Sequence, residues 1–245
     1  MSDIQMRMKN LILPSSGIYR LTFFLAMEDY VAGMSDEELF FVWQSDPTVI
    51  IGRNQDLDVE VNIGYCRENG VRIVRRKSGG GCVYSDRGNI MLSFVSRRGN
   101  VADVFDAFLL KFASCLSALG LPAEISGRND ILVDGRKISG NAFHQLPDRS
   151  IVHGTLLYSV DFDALETAIR PPVEKLARHG VPSVRQRVRN IRDYALSEGL
   201  YHDGLDSVQS LMDYIVNYFC DGEIRLTEAD ILEIEKIESE YININ

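Results

Sequence analysis

Apolar residues recur at helical spacing in four segments of the chain, which predicts four helices. The first spans residues 21–32 and carries its apolar side chains near one face. The second spans residues 104–119 and is followed by Gly120 and Pro122, the residues that commonly stop a helix. The same spacing predicts helices over residues 163–169 and 205–219.

Short runs rich in β-branched and aromatic residues lie between these helices and predict strands. Asp134-Gly135 separates two of the runs and is typical of a tight hairpin. Because strands occur mainly as hairpins with helices between them, we expect an α+β fold rather than a doubly wound parallel sheet. The predicted strands cover residues 39–43, 48–51, 71–75, 89–95, 131–133, 137–138 and 153–160.

The length of 245 residues, without repeats or a low-complexity linker, predicts a single domain spanning residues 1–245. No apolar run approaches the roughly 20 residues that cross a bilayer, and the first residues lack the apolar core of a secretory signal. The four cysteines form no C-x-x-C pair, so the sequence predicts neither a zinc site nor a disulfide framework. Reduced thiols and a cytoplasmic location are the simplest interpretation.

The net charge of −9 argues against a nucleic-acid-binding protein that works through phosphate contacts. The charge is nevertheless uneven, since arginines and lysines cluster within residues 72–77 and 185–192, whereas residues 227–240 are mostly acidic. Basic clusters in an acidic chain indicate a local anionic ligand, although solvated surface charge is the better interpretation of any single cluster taken alone.

The most informative segment is RRKSGGGCVY, residues 75–84. Its three consecutive glycines, Gly79, Gly80 and Gly81, let a backbone approach a ligand closely. The preceding Arg76 and its neighbours supply charge for a phosphate or carboxylate. A glycine-rich hairpin without a ligand is an equally good interpretation of the glycines alone. The segment is neither a P-loop nor a dinucleotide-binding fingerprint.

A second candidate segment combines Asn129 and Asp130 with Lys137 across the hairpin at Asp134-Gly135. The hairpin should bring the asparagine and the aspartate near the lysine. Carboxylate and amide oxygens are suitable Mg²⁺ ligands, and a lysine beside them suits a reacting carboxylate. Taken alone, Lys137 could be an ordinary surface lysine.

Two further segments have weaker signals. His153 begins the run HGTLL, and a lone histidine is more often structural than catalytic. Residues 175–187 are basic and contain Gly180 and Pro182, so we expect a loop that closes over an anion.

Together these segments resemble the lipoate-protein ligase A family. The likeness covers most of residues 20 to 190, and several motifs in order are far more specific than any one of them. The motifs that carry it are LAME at residues 25–28, VW at 42–43, PTVIIGRNQ at 47–55, RRKSGGGCVY at 75–84, residues 86–89, GRNDILVDGRKISG at 127–140, HGTLL at 153–157 and SVRQRV at 183–188.

The resemblance implies a biotin/lipoate-ligase-like catalytic domain with mixed, mainly antiparallel sheets flanked by helices. It implies that ATP activates lipoate to lipoyl-AMP, with Mg²⁺, and that the lipoyl group passes to a lysine of lipoyl domains of 2-oxoacid dehydrogenases or of glycine-cleavage H protein. Lys137 would be the essential lysine and Asp130 the metal ligand. The nucleotide and lipoyl group would be bound by Arg76, Ser78, Gly79, Gly80, Gly81, Cys82, Val83, Tyr84, Asn89, Asn129, His153, Ser183 and Arg185.

Two departures keep other functions open. Cys82 stands where the family commonly has alanine, and octanoyltransferases of this fold form a thioester on a cysteine. No cysteine lies between Arg128 and Tyr158, where that nucleophile would be expected, so a small structural thiol is the better interpretation. From the resemblance we expect this chain to be without the accessory C-terminal domain of two-domain members. The alternatives are therefore a transferase using preformed lipoyl-AMP or an acylated donor, a ligase with a separate accessory subunit, and a non-catalytic binding protein.

Overall fold

The computed structural model of the chain describes residues 8–18, 20–97, 100–127, 129–170 and 184–241. None of the helices in these ranges is long and apolar enough to cross a membrane. The helices are α1 (Leu21–Met34), α2 (Leu57–Glu60), α3 (Ile63–Glu68), α4 (Val101–Ala118), α5 (Phe162–Ala168), α6 (Val184–Arg187), α7 (Ile191–Glu198), α8 (Val208–Phe219) and α9 (Glu228–Glu238).

The strands form one large and one small sheet. The large sheet has the order β11-β1-β2-β6-β10-β9-β8-β7 and the small sheet the order β4-β3-β5. The bounds are β1 (Met8–Ile12), β2 (Leu39–Trp43), β3 (Thr48–Ile51), β4 (Arg72–Arg75), β5 (Val83–Ser85), β6 (Asn89–Ser96), β7 (Ala123–Ser126), β8 (Asp130–Val133), β9 (Arg136–Gln145), β10 (Ser150–Leu157) and β11 (Cys220–Arg225).

Most neighbouring strands run antiparallel. Among the strands of the described residues, the parallel pairs are β1–β11 and β1–β2 in the large sheet and β3–β4 in the small sheet. The helices cover both faces of the large sheet. This arrangement confirms the predicted α+β class with mixed, mainly antiparallel sheets.

Side chains alternate between the two faces of the large sheet and pack into a separate hydrophobic core on each face. On one face α4, α7 and α8 pack over Leu92, Phe94 and Val152. On the other face α1 and α9 pack over Phe41, Trp43 and Met91. A third core joins the small sheet to α3 and α5. The α1 face of the large sheet is also where polar side chains collect.

Several predicted elements have the expected bounds and others are displaced. The strands at 39–43 and 48–51 are confirmed, but they belong to different sheets. The strand predicted at 153–160 begins at Ser150 and ends at Leu157, since its ladder with β6 and β9 reaches only that far. The helix predicted from residue 205 begins at Val208, because Asp203–Leu205 forms a 3-10 turn and Ser207 caps the helix.

Candidate active site

The glycine-rich segment crosses the end of the small sheet and is held from beneath by Arg76. The Arg76 guanidinium donates to the carbonyl of Ile50 at 3.2 Å and to those of Gly79 and Gly81 at 2.8 Å each. Gly80 has a φ of +97°, and a Cβ there would lie 2.8 Å from the Arg76 guanidinium. Burial lowers the pKa of Arg76 to about 10, so the side chain stays charged at neutral pH. A buried arginine and a glycine with positive φ thus fix the shape of the loop.

A second set of contacts joins this loop to the large sheet through His153 of β10. The hydroxyl of Ser78 lies 2.7 Å from His153 Nε2, and His153 Nδ1 lies 3.1 Å from Glu28 Oε2 of α1. The other Glu28 oxygen accepts the Ser93 hydroxyl at 2.6 Å, and Ser93 accepts the Trp43 indole N–H at 3.0 Å. The five side chains form one continuous hydrogen-bonded chain from the sheet to the loop. The predicted ligand contact of His153 remains a prediction.

The hairpin of β8 and β9 brings Asp130 and Lys137 together, as the sequence predicts. Lys137 Nζ lies 2.7 Å from Asp130 Oδ1, and a guanidinium nitrogen of Arg187 lies 2.7 Å from Asp130 Oδ2. The side chains of Lys137 and Asp130 are 23% and 14% exposed. Gly140 makes room for the lysine, since a Cβ there would lie 2.6 Å from Lys137 Cε. The lysine head is therefore confined beside a carboxylate, with part of its surface open to solvent.

The register of the large sheet places His153 and the Lys137–Asp130 pair on the same face. His153 pairs with Ala142, and Thr155 pairs with Gly140, which pairs with Asp130. Residues two apart along a strand share a face and are separated by roughly 7 Å. The set of paired residues across the sheet that contains Asp130 is therefore adjacent to the set that contains His153, and the Lys137–Asp130 pair lies beside it.

Lys77 and helix α1 hold the outer side of the loop. Lys77 Nζ lies 2.5 Å from Asp29 Oδ2, and the Tyr241 hydroxyl donates to the same oxygen at 2.8 Å. Lys77 also lies 4.8 Å from the centre of the Tyr241 ring. Burial raises the pKa of the Tyr241 phenol, so it remains a donor. The adjacent residues Glu28 and Asp29 therefore restrain the loop from its inner and outer sides.

Other predicted binding residues lie beneath the loop or at its edge. Tyr84 and Asn89 are buried, and the Asn89 amide donates to the Tyr84 carbonyl at 3.1 Å. Cys82 and Val83 are half-buried, and Cys82 packs against the third core. Nucleotide contacts of these four side chains remain predictions.

Three further predicted ligand-binding residues are Asn129, Arg185 and Ser183. Asn129 uses its amide on the opposite strand, where it donates to the Asn141 carbonyl at 2.8 Å. Arg185 pairs with Asp163 of α5 rather than with the Asp130 group. Ser183 and most of the predicted closing loop, residues 175–183, lie outside the described residues. The ligand contacts of Asn129, Arg185 and Ser183 stay predictions.

Sequence reasoning missed two residues of this cluster. Glu28 was part of the LAME motif but was given no role, and its partner His153 is 125 residues away. Arg187 was assigned only to the closing loop, yet it is the second cation on Asp130. The signal for Glu28 was an acidic residue on an otherwise apolar helix face, where a buried charge requires partners.

The polar groups and the fold define an α+β domain with a glycine-rich loop and a lysine–carboxylate pair on one sheet face. Residues 21–219 match the family described as the lipoyl protein ligase A/B catalytic domain. The chain belongs to this family. It is 40% identical over 224 residues to lipoate-protein ligase LplJ of Bacillus subtilis and 36% identical over 222 residues to lipoate–protein ligase 1 of Staphylococcus aureus. Each comparison covers 88% of this chain but only 66% of the relative.

Solved structures show the same fold at lower identity. The bipartite lipoate protein ligase of Thermoplasma acidophilum superposes with a TM-score of 0.79 at 24% identity, covering 96% of this chain and 93% of that chain. A lipoate-protein ligase A bound with ATP superposes with a TM-score of 0.76 at 23% identity, covering 97% and 95%. These likenesses confirm the lipoate-ligase-type fold that the sequence predicted.

Proposed function

We propose that this chain activates lipoate with ATP to form lipoyl-AMP and transfers the lipoyl group to a lysine of a lipoyl-domain protein. The observation that carries the proposal is the confined Lys137–Asp130 pair, one row along the sheet from His153. His153 in turn contacts the glycine-rich loop at Ser78. The named relatives are lipoate-protein ligases. One structural neighbour was solved with ATP, and another, from Thermoplasma acidophilum, with lipoic acid.

The chemistry of the first step suits these residues. The lipoate carboxylate attacks the α-phosphate of ATP, and such an in-line transfer needs positioning and charge neutralisation more than covalent catalysis. Lys137 Nζ can exchange its contact with Asp130 for the carboxylate or phosphate oxygen, while Arg187 keeps Asp130 neutralised. The lysine is thus held ready by an internal anion that a substrate anion can replace.

Asp130 would be a ligand of a magnesium ion, together with substrate phosphates. Among the described residues no cluster of three or more histidine, cysteine or acidic side chains is placed to hold a metal by itself. An ion at Asp130 has to compete with Lys137 and Arg187 for the two carboxylate oxygens. When bound it would neutralise phosphate charge.

The acceptor and the means of activation are open to direct test. The T. acidophilum structural study includes an E2 lipoyl domain, and we propose acceptors of that kind, including those of 2-oxoacid dehydrogenases and glycine-cleavage H protein, in the cytoplasm. The chain spans 66% of the length of the B. subtilis and S. aureus relatives. A second candidate function is transfer from preformed lipoyl-AMP or an acylated donor. A ligase that needs a separate accessory subunit is a variant of the first proposal.

The test measures lipoate-dependent ATP–pyrophosphate exchange and the mass gain of a purified lipoyl domain. Exchange and mass gain together support the ligase, whereas mass gain only from supplied lipoyl-AMP supports the transferase. Lys137→Ala should lower the rate by about 10²–10³-fold, the usual cost of losing one preorganised charge. Lys137→Arg should also fail, because a planar guanidinium cannot replace a compact ammonium.

Lys236→Ala is the matched control, since Lys236 forms an exposed ion pair with Glu233 on α9. It should retain the wild-type rate. Near wild-type turnover by Lys137→Ala would remove the lysine from the proposed mechanism.

A further inference from the structure

Donor and acceptor roles can be assigned along the hydrogen-bonded chain of side chains from Trp43 to Ser78. An indole N–H can only donate, so Ser93 accepts from Trp43 and gives its own proton to Glu28. A glutamate carboxylate can only accept, so His153 Nδ1 donates to Glu28. When His153 is the neutral tautomer protonated at Nδ1, its Nε2 is an acceptor and the Ser78 hydroxyl donates to it.

A Ser78 hydroxyl that donates to His153 still has two lone pairs on its oxygen with which it can accept. Glu28 is only 4% exposed and Ser78 2%, so bulk water does not compete for these contacts. The following Gly79 and Gly80 are exposed. In the arrangement proposed below, the acyl group lies along these glycines, beside the Ser78 hydroxyl.

We propose that Ser78 and His153 accept the proton of the attacking lysine amine in the acyl-transfer step, and that Glu28 is the positioning residue that makes this possible. The inference rests on the proposed function. It adds a task that activation does not require, because a carboxylate attacking a phosphate has no proton to lose. The serine, histidine and carboxylate are arranged as base and orienting group are arranged in acyl-transfer enzymes.

The step balances without any further reactant. The amine nitrogen of the acceptor lysine bonds to the acyl carbon, and the bond from that carbon to the phosphate oxygen breaks. AMP leaves with the electron pair. The amine proton passes to Ser78 Oγ as the Ser78 proton passes to His153 Nε2. The imidazolium is stabilised by the Glu28 carboxylate until the proton leaves to solvent.

The test uses Glu28→Gln and supplies chemically prepared lipoyl-AMP as the donor, so that ATP activation is not needed. A glutamine keeps the shape of the side chain but cannot accept from both Ser93 and His153. We expect kcat for transfer to a lipoyl domain to fall by about 10²-fold, the lower end of what general base catalysis contributes. KM for the lipoyl domain and the Kd for a stable sulfamoyl analogue of lipoyl-AMP should not change.

Glu38→Gln is the matched control. Glu38 also accepts a serine hydroxyl of β6, from Ser96 at 2.8 Å, but Ser96 lies on the opposite face of the sheet from Ser93. This variant should transfer at the wild-type rate. A second variant, His153→Ala, should lose transfer and recover part of it when imidazole is added.

The outcomes separate the two proposals. If the Glu28→Gln enzyme transfers the lipoyl group as fast as the wild-type enzyme, the proton-acceptor role is overturned and the proposed function stands. Weakened analogue binding in step with the lower rate would show that Glu28 is only structural and would also overturn it. A wild-type chain that transfers nothing from lipoyl-AMP overturns the proposed function itself.

Discussion

Gly140→Ala tests whether the position of Lys137, rather than its presence, determines the reaction rate. The new Cβ would lie 2.6 Å from Lys137 Cε, whereas ordinary contacts begin at 3.4 Å. Lys137 Cε must therefore retreat by about 0.8 Å, and the ammonium, which is closer still, must move further. Because the obstruction meets the far end of a flexible side chain, the lysine can move without disturbing β9.

The expected loss of stability is small. Moving Lys137 weakens its contact with Asp130, but that carboxylate keeps Arg187, and partly exposed ion pairs contribute only about 0–1 kcal/mol. Replacing glycine by alanine in a strand offsets this by about 0.4–1 kcal/mol through the unfolded state. The free energy of unfolding should therefore change by no more than about 1 kcal/mol.

The expected loss of activity is much larger. A displacement of about 1 Å from a reactive geometry can lower a rate by about 10²-fold, which corresponds to about 2.7 kcal/mol of transition-state energy. Denaturant unfolding and lipoyl-domain modification would be measured on the same preparation. A large loss of activity with a small loss of stability would identify displacement of Lys137 as the cause, since general destabilisation would reduce both activity and stability.

Gly33→Ala in α1 is the control, because a Cβ there meets no atom within 4 Å. It should stabilise the protein by up to about 1 kcal/mol and leave the rate unchanged. If Gly140→Ala modifies the lipoyl domain at the wild-type rate, the lysine does not act from the position described.

Two further predictions concern packing and thiols. Gly154→Ala should lower the free energy of unfolding by about 1–3 kcal/mol. The new Cβ would lie 3.0 Å from Cγ of the buried Asn141 amide, and hydrogen bonds to Asn129 and Ser139 hold that amide in place. An unchanged denaturation midpoint would contradict this prediction. Cys82, half-buried beside the loop, should react first with Ellman's reagent, because burial raises the pKa of the Cys115 and Cys220 thiols to about 12 and so suppresses their thiolates at neutral pH. Peptide mapping that finds Cys115 labelled first would refute the second prediction, and Cys82→Ala should remove the fast phase.

Local sequence was sufficient for features that depend on near neighbours. The Asp134-Gly135 turn has φ values of 49° and 69°, as expected for a two-residue hairpin loop, and it brings Lys137 to Asp130 as predicted. Helix α1 and strands β2 and β3 also begin where their periodicity begins. These elements are decided by contacts within a few residues, which the sequence displays directly.

Long-range pairing decided the rest. β1 and β11 were not predicted, because they pair with each other across more than 200 residues of the chain. β2 and β3 are separated by a short turn, yet they enter different sheets because their partners lie elsewhere in the chain.

The active-site candidate shows the same division. The sequence by itself determined the chemically important residue types, namely the glycine-rich loop, Lys137, Asp130 and His153. Only the tertiary structure placed Glu28 against His153 and Arg187 against Asp130. It also placed the Arg76 guanidinium within hydrogen-bond distance of the loop carbonyls. The physical reason is that the partner of a buried polar group is chosen by the sheet register and by the desolvation cost of leaving that group unpaired, and neither can be read from spacing along the chain.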